Sequence, residues 1–241
     1  MRVRVIGIGM GPQQLTPEAA AALRGCDYAV AARKREDDGL FELRRAVCEA
    51  HGLPLVAVAD PERDRDAPAD YRAAVADWHE ARVRAFEQVL AERGGSAAFL
   101  VWGDPSLYDS VLRIVARIGE RGEVPVEYDV LPGISAPQLL AARHRLVLHE
   151  VGRPVHVTPQ RRLAEAVAAG QDNIVVVLGA RPAFQGLEEW SVWWGANLGT
   201  GTEELVAGRV ADVLPEIGAA RARAKERAGW VMDTALLRRP S

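Results

Sequence analysis

The chain has 241 residues, a formal net charge of -3 at pH 7 and a hydrophobic fraction of 49%. This charge argues against a nucleic-acid binder that relies on overall positive charge, and the balance of apolar and charged residues excludes a disordered or collagen-like chain. No stretch approaches the roughly 18 apolar residues of a membrane span, and the opening MRVRVIGIGMG runs into a glycine loop rather than a signal-peptide cleavage site. We therefore expect a soluble cytoplasmic protein whose partners are neither nucleic acids nor membranes.

The first half of the chain alternates short apolar strands with helices. The pattern predicts strands over residues 3–8, 28–32, 55–58, 97–102 and 126–131, and helices over 17–23, 40–50, 70–93 and 106–120. In the helix over 70–93, an apolar stripe is predicted on one face, formed by Tyr71, Val75, Trp78, Ala85 and Val89. Thr16 is predicted to cap the first helix, with Pro17 at its first position, and the polar stretch 60–70 predicts a solvated loop. Strands separated by helices of this length favour a largely parallel sheet covered on both faces.

After Pro132 the pattern changes to more strands with fewer crossovers. Strands are predicted over residues 155–158, 174–178, 192–198, 204–210 and 229–236, and helices over 136–143, 161–169 and 213–228. The sequence therefore predicts an α/β protein of two α/β domains, residues 1–132 with a mostly parallel sheet and residues 133–241 with a mixed sheet.

The two cysteines, Cys26 and Cys48, have neither the number nor the spacing of a disulfide framework or a zinc site. We expect both to be buried, reduced thiols, and we predict no metal site.

Three loops follow strands of the first sheet, at the edge where open α/β sheets bind ligands. The first reads GIGMGP over residues 7–12 and resembles a dinucleotide fingerprint. Its third glycine would fall at Pro12, however, and the second strand ends in alanines rather than in the expected acidic residue, so a nicotinamide cofactor is disfavoured. A phosphate-binding P-loop lacks its Gly-Lys-Ser/Thr. The glycines at 7, 9 and 11 allow close backbone approach or positive φ, with a tight turn alone as the alternative.

The second loop reads WGDPSLY over residues 102–108 and the third reads LPGISA over residues 131–136. Pro105 predicts the start of a helix, and Asp104 would then place its carboxylate at the helix N-terminus, where it is stabilised. Ser135 is predicted to cap the helix that follows the third loop. Each loop alone is a weak signal, since Asp104 could be a helix cap and nothing more.

Together, in this order and at this spacing, the three loops resemble those of the tetrapyrrole methylase family, the two-domain methyltransferases that use S-adenosylmethionine. The family pattern is a glycine-rich loop after the first strand, G-D-P-x-x-Y after the fourth and P-G-[ILV]-[ST]-[SA] after the fifth. The resemblance covers nearly the whole chain and implies a cofactor cleft between the two domains. The family's first loop usually reads G-x-G-P-G-D-P. Here Met10 replaces the proline and Pro12 follows Gly11 directly, so no role of the family's aspartate is carried over.

The resemblance implies S-adenosylmethionine as the methyl donor, S-adenosylhomocysteine as the product and a homodimer. Methyl transfer needs donor and acceptor in line and water excluded, so no catalytic triad is expected. The positions that match cofactor contacts of the family are Gly9, Met10, Gly103, Asp104, Leu107, Ser135, Ala136, Leu178 and Ala196.

Several further blocks, among them FLVWGDPSLYDS, WWGANLGT and GWVMDTALLRR, resemble the deacetylating branch of this family in cobalamin biosynthesis. That likeness implies a tetrapyrrole substrate, precorrin-5, methylated at ring carbon 1 with its acetyl group released as acetate. Deacetylation gains from a base and an oxyanion donor, for which Asp104, Tyr108 and His156 are the candidates. The many carboxylates of the substrate call for cations, and the candidates are Arg33, Lys34, Arg35, Arg143, His144, Arg145, Arg153 and His156.

Two alternatives stay open. A sister member of the family would methylate another precorrin carbon or even a protein histidine. A non-catalytic protein would bind S-adenosylmethionine without turnover. Single-turnover methyl transfer distinguishes the second alternative from an enzyme, whereas binding of S-adenosylhomocysteine does not.

Overall fold

The computed structural model describes residues 1–34, 38–61, 71–179 and 181–240, with side chains from residue 76 onward in the third of these ranges. The chain divides into two compact units, Met1–Ile134 and Ser135–Ser241. Each unit holds one five-stranded sheet, parallel in the first and mixed in the second, which confirms the predicted fold class. Arg35 and most of the predicted loop 60–70 lie outside the described residues.

The first unit is a parallel sheet with helices on both faces. Its elements are β1 (Arg2–Gly7), α1 (Pro17–Arg24), β2 (Tyr28–Arg33), α2 (Gly39–Ala50), β3 (Leu55–Ala59), α3 (Tyr71–Arg93), β4 (Ser96–Val101), α4 (Val111–Arg121) and β5 (Glu127–Leu131). The strands lie in the order β3-β2-β4-β1-β5. The core residues of α1 and α2 cluster on one face of the sheet, and those of α3 and α4 on the other.

The first helices begin where their capping residues predict. Thr16 Oγ1 accepts a hydrogen bond from the Ala19 amide at 3.1 Å, and Pro17 is the first residue of α1. Asp38 Oδ1 caps α2 by accepting from the amides of Leu40 and Phe41. Both caps satisfy amides that a helix leaves without intrahelical partners, so these boundaries are set locally.

The prediction of a helix from residue 106 is wrong, because α4 begins only at Val111. The Asp104 side chain accepts a hydrogen bond from the Ser106 amide and closes a turn, and Tyr108 then adopts φ +52°, which no α-helix contains. Asp104 therefore does not lie at a helix N-terminus.

The second unit is built on a mixed sheet. Its elements are α5 (Ala136–His144), β6 (His156–Pro159), α6 (Leu163–Ala168), β7 (Asn173–Val177), β8 (Ser191–Ala196), β9 (Glu204–Arg209), α7 (Val210–Ala228) and β10 (Asp233–Arg238). The order is β6-β7-β10-β8-β9, in which only β6 and β7 run parallel. Trp194 and Ile217 are fully buried in the core between this sheet and its helices.

Within the described ranges, no helix combines the length and the apolar composition that crossing a bilayer requires. In the same ranges, His, Cys, Asp and Glu side chains nowhere form a group of three that could hold a metal ion.

The two cysteines are free thiols that differ in burial, because Cys48 is buried and Cys26 is only partly so. The expectation of two buried thiols therefore holds for Cys48 alone. Burial, aided by the charge of Glu49, raises the pKa of Cys48 to about 11, and burial is also the main cause of the raised pKa of Cys26.

Alkylation should report this difference. Since the thiolate is the nucleophile, iodoacetamide at pH 8 is expected to label Cys26 well before Cys48 in the native protein. Peptide mass spectrometry over time measures both rates, with the urea-unfolded protein as the control in which the two rates converge. Equal native rates would contradict the buried position of Cys48.

Candidate active site

Three loops of the first unit meet at one edge of its sheet. We call residues 8–16 the glycine loop, residues 102–110 the Asp104 loop and residues 132–134 the proline-glycine loop; they follow β1, β4 and β5. Because β1 lies between β4 and β5 and all three strands are parallel, the loops share the edge where open α/β sheets bind ligands. The predicted placement of the three loops is confirmed.

The glycine loop and the Asp104 loop are joined by main-chain hydrogen bonds. The Gly103 amide donates to the Gly9 carbonyl at 2.8 Å and the Gly9 amide donates to the Gly103 carbonyl at 3.2 Å. Gly9 has φ +68° and Gly103 has φ +76°, a region that strains residues with a Cβ. Both positions therefore require glycine for the two loops to pair.

The proline-glycine loop approaches the other two more closely than a side chain would allow. A Cβ on Gly133 would lie 2.2 Å from the Gly103 carbonyl oxygen, and a Cβ on Gly7 would lie 2.5 Å from the Gly133 nitrogen. The prediction that glycines permit close approach or positive φ is thus confirmed for Gly7 and Gly9. Gly11 has φ 170°, an extended conformation open to any residue.

The Asp104 carboxylate ties its own loop to the proline-glycine loop. Oδ2 accepts a hydrogen bond from the Gly133 amide at 2.9 Å, and Oδ1 accepts from the Ser106 amide at 2.8 Å and from the Ser106 hydroxyl. Burial of the carboxyl opposes ionisation, but these hydrogen bonds outweigh it and hold the pKa of Asp104 below its ordinary value. A carboxylate stabilised in this way is a fixed negative charge and a weak proton acceptor.

Two large hydrophobic side chains are held in strained backbone and exposed to solvent. Tyr108 has φ +52° with 48% of its surface exposed, and Leu178, directly after β7, has φ +56° with 58% exposed. A left-handed conformation costs a non-glycine residue about 1–2 kcal/mol, and such strain clusters at ligand-binding positions. The strain marks Tyr108 in the first unit and Leu178 in the second as candidate contact residues.

Comparison with known proteins identifies the family. The model of the family "Tetrapyrrole (Corrin/Porphyrin) Methylases" matches residues 2–214. The chain belongs to this family. The precorrin-6A synthase (deacetylating) of a Sinorhizobium species is 41% identical over 249 aligned residues, which cover 99% of this chain and 95% of that protein.

Solved structures of similar proteins agree with this family assignment. A cobalamin-synthesis-related protein, CobF, from Corynebacterium diphtheriae has 36% identity and a TM-score of 0.85 over 100% of both chains. A uroporphyrin-III-C-methyltransferase from Thermus thermophilus has 22% identity and a TM-score of 0.59 over 99% of this chain and 91% of its own, which shows the shared fold.

The family-matched cofactor positions of the first unit lie in the three-loop edge. Gly9 and Gly103 form the main-chain bridge described above, and Leu107 accompanies Asp104 in the same loop, where its amide donates to the Asp104 carbonyl at 3.2 Å. Met10 is buried within the first unit. The structure therefore brings together the first-unit part of the predicted site.

The family-matched positions of the second unit lie at ends of its elements. Ser135 precedes α5, as predicted, and its amide donates to Gln138 Oε1 at 2.8 Å. Ala136 is the first residue of α5, Leu178 follows β7, and Ala196 ends β8 with its side chain fully buried in the core.

The predicted substrate cations are not gathered in one place. Arg33 lies in the first unit, with its guanidinium 5.4 Å from the centre of the Phe41 ring. In the second unit, Arg143 donates to both carboxylate oxygens of Glu203, at 2.8 and 3.1 Å, and Arg153 is exposed. His144 Nε2 lies 3.1 Å from the Trp194 carbonyl, Arg145 ends α5 at φ +57°, and His156 begins β6 at the sheet edge.

The sequence analysis missed two residues that hold loops in place. Ser106 completes the Asp104 turn, and the spacing Asp-x-Ser is a turn signal that could have predicted it. Glu203 accepts from the Gly199 amide at 2.7 Å as well as from Arg143, and so fixes the turn after β8. No local pattern points to Glu203, because its ion-pair partner lies 60 residues earlier.

Proposed function

We propose that this chain is an S-adenosylmethionine-dependent C-methyltransferase of cobalamin biosynthesis, which methylates ring carbon 1 of precorrin-5 and releases acetate to give precorrin-6A. The observation that carries the proposal is the 41% identity, across 99% of the chain, to a precorrin-6A synthase (deacetylating). Membership of the tetrapyrrole methylase family over residues 2–214 supports the reaction class. A cytoplasmic location and a homodimer belong to the same proposal and rest on the likeness to the family.

The charge of the three-loop edge and the apolar surface of Leu178 in the second unit each suit a part of S-adenosylmethionine. The ionised Asp104 carboxylate gives this edge a fixed negative charge, which favours a cationic sulfonium. Leu178 offers an exposed apolar side chain for the adenosine. When bound, the cofactor supplies an electrophilic methyl group. The remaining proposed contacts are Gly9, Met10, Gly103, Leu107, Ser135, Ala136 and Ala196.

We propose different roles in deacetylation for the three candidate catalytic residues. Water adds to the acetyl carbonyl and gives up a proton to a base, and the bond between that carbonyl carbon and ring carbon 1 breaks. Acetate leaves, and the bonding electron pair stays on ring carbon 1 and the conjugated macrocycle, where it forms the bond to the transferred methyl group. Because Asp104 already accepts three hydrogen bonds and has a lowered pKa, we assign it to positioning the loops rather than to removing a proton. Tyr108 and His156 are then the proposed proton-transfer and oxyanion groups. Arg33, Arg35, Arg143 and Arg153 are the proposed ligands of the substrate carboxylates.

Product analysis tests the proposal directly. Purified protein is incubated with enzymatically generated precorrin-5 and methyl-labelled S-adenosylmethionine, followed by mass spectrometry of the macrocycle and an acetate assay. A labelled macrocycle that has lost the acetyl mass, with one acetate per methyl, is expected. Label without acetate release would leave a methyltransferase and overturn the deacetylation, whereas no label would favour a sister substrate or a non-catalytic binding protein.

Replacing Leu178 should lower the affinity for the cofactor and leave the stability of the fold intact. Leu178→Gly relieves the left-handed strain and is expected to raise the free energy of unfolding by about 1 kcal/mol, while removing the exposed apolar surface. Leu178→Ala removes the same surface but keeps the strain, which makes it the matched control. Calorimetric titration with S-adenosylhomocysteine should show a similar loss of affinity in both variants. Unchanged affinity in both would exclude Leu178 from the site.

A further inference from the structure

A cavity of about 210 Å³ lies in the first unit beside the carboxyl ends of β2 and β4. Its walls combine apolar side chains, among them Phe86 and Phe99, with three cationic ones, Lys34, Arg44 and Arg82. Asp109 and Ser110, at the end of the Asp104 loop, also line this cavity, but the hydrogen bonds that join the three loops do not involve it.

The cavity forms where two neighbouring strands separate. The ladder between β2 and β4 ends at the pair Val30 and Phe99, although β2 continues to Arg33 and β4 to Val101. The helices that follow these strands, α2 and α4, pack on opposite faces of the sheet. Adjacent parallel strands whose crossovers leave to opposite sides create the crevice in which α/β proteins bind ligands. This is a second such crevice, next to the one between β4 and β1.

Arg44 occupies the gap between the separated strands. Its Nε donates to the Leu100 carbonyl of β4 at 3.0 Å and its Nη1 donates to the Leu40 carbonyl at 3.2 Å. Among the described residues, no carboxylate lies at ion-pair distance from Arg44 and none accepts a hydrogen bond from its Nη2. Burial lowers the pKa of Arg44, as expected for a guanidinium with no direct counter-ion.

Three other charged groups of the cavity, Arg82, Asp38 and Asp109, are already engaged. Arg82 pairs with Asp60, with 2.8 Å between Nε and Oδ1, and donates to the Ser110 hydroxyl at 3.1 Å. The Asp38 carboxylate accepts from the amides of Leu40 and Phe41 at the start of α2 and from the Lys34 amide after β2. Asp109 accepts from the first amide of α4. The lining holds three cations and two carboxylates, and Asp60 adds a third carboxylate as the partner of Arg82. Small inorganic anions should therefore bind weakly. Affinity should depend on the directed donors of Arg44 and on the apolar walls.

We propose that Arg44 binds the carboxylate of a short aliphatic acid in this cavity, with the aliphatic part packed against Phe86 and Phe99. A guanidinium presents a planar pair of donors that matches a carboxylate. The apolar walls can pack against an aliphatic chain of one or two carbons. Two sources share this chemistry: a carboxylate side chain of the tetrapyrrole substrate, and the free acetate that deacetylation releases. The choice of sources rests on the proposed function, whereas the carboxylate site itself does not.

The site is tested with propionate on the full chain, at constant ionic strength set with chloride. The readouts are the Nε–H resonance of Arg44 by nitrogen-15 NMR and the thermal midpoint of unfolding. Propionate should shift both in a saturable manner, and the neutral isostere propionamide should shift neither. Equal effects of the two compounds would overturn the site, and this comparison needs no variant.

Two variants test whether Arg44 is the residue that binds the carboxylate. Arg44→Gln should weaken propionate binding at least about tenfold, the loss expected for one charge-assisted hydrogen bond. Arg45→Gln is the matched control, because Arg45 is the next residue of α2, is exposed and pairs with Glu42. Propionate binding that survives in Arg44→Gln would overturn the assignment.

Kinetics with the tetrapyrrole substrate distinguish the two sources. If the site holds a substrate side chain, Arg44→Gln should raise KM about tenfold with little change in kcat. If it holds the released product, inhibition by added acetate should disappear in Arg44→Gln with KM unchanged. No change in either quantity would overturn a role in the reaction. A wild-type protein that binds propionate but transfers no methyl group would instead overturn the proposed function and leave the carboxylate site standing.

Discussion

Gly133→Ala is expected to destabilise the first unit by about 3 kcal/mol or more and to abolish binding of S-adenosylhomocysteine. The new Cβ would lie 2.2 Å from the Gly103 carbonyl oxygen and 2.8 Å from the Gly7 carbonyl carbon. Both neighbours are main-chain atoms at the ends of central strands, so neither can rotate away as a side chain would. The three loops would have to separate, and the three-loop edge would lose its shape.

Hydrogen exchange of the β1 and β4 amides measures the local loss of stability at the three loops. Urea unfolding followed by circular dichroism measures the change in the free energy of unfolding of the whole protein. Gly119→Ala is the matched control, since Gly119 lies inside α4 and a Cβ there meets nothing within 4 Å. That substitution is expected to be neutral or to stabilise the protein by up to about 1 kcal/mol. A Gly133→Ala protein as stable as the control would disprove the close packing of the three loops.

Asp104→Ala is expected to leave the fold intact while reducing methyl transfer about a hundredfold, the effect of misplacing reacting groups by roughly 1 Å. The substitution leaves the amides of Gly133 and Ser106 without their acceptor, which costs about 1–3 kcal/mol of stability. Asp129→Asn is the control, because Asp129 lies in β5, away from the three loops, and forms an exposed ion pair with Arg2 and a longer contact with Arg4. It should change stability by at most about 1 kcal/mol. Single-turnover methyl transfer and S-adenosylhomocysteine affinity are the measurements. Wild-type rates in Asp104→Ala would remove this residue from the active site.

The lowered pKa of Asp104 also gives the protein a pH dependence of known sign. A carboxyl whose pKa is lower in the folded state stabilises the fold above its unfolded pKa, and this stabilisation is lost as pH falls through the folded value. The wild-type protein should therefore lose stability below an ordinary aspartate pKa of about 3.9 more steeply than Asp104→Asn does. Unfolding midpoints between pH 5 and pH 2 measure the difference, and parallel curves for the two proteins would contradict the assigned hydrogen bonds.

Local patterns predicted most of the secondary structure. The observed strands fall within two residues of the predicted ones, except that β10 begins at Asp233 rather than at residue 229. Gly229 adopts φ +75° and ends α7 instead of opening the strand. Continuous apolar runs, caps such as Thr16 and glycine stops are signals within a few neighbouring residues, which is why the sequence suffices for them.

In α3, the predicted apolar stripe lies at the edge of the buried face rather than at its centre. Among the described side chains of this helix, the buried apolar ones are Val83, Phe86 and Leu90, with Ala85 and Val89 packed at their edge. The predicted stripe was Tyr71, Val75, Trp78, Ala85 and Val89, of which Tyr71 and Val75 lie outside the described side chains. A helix with apolar residues at several spacings leaves the choice of face to tertiary packing.

The parts of the site that the sequence could not predict depend on residues far apart in the chain. The Asp104 carboxylate reaches the Gly133 amide across 29 residues, and Arg44 reaches the Leu100 carbonyl across 56. Neither pairing leaves a periodic or compositional trace. The family resemblance supplied the positions of the loops, but not the hydrogen bonds that join them or the cavity around Arg44.

The position of β10 has a consequence for how the protein is made. This strand follows β7, β8 and β9 in the chain, yet it lies between β7 and β8 in the sheet. Until residues 233–238 leave the ribosome, both of those strands carry an unpaired edge, which is a template for pairing with another chain. The second half of a newly synthesised molecule therefore stays open to aggregation after the first sheet is complete, and slow synthesis near β10 should increase its dependence on chaperones.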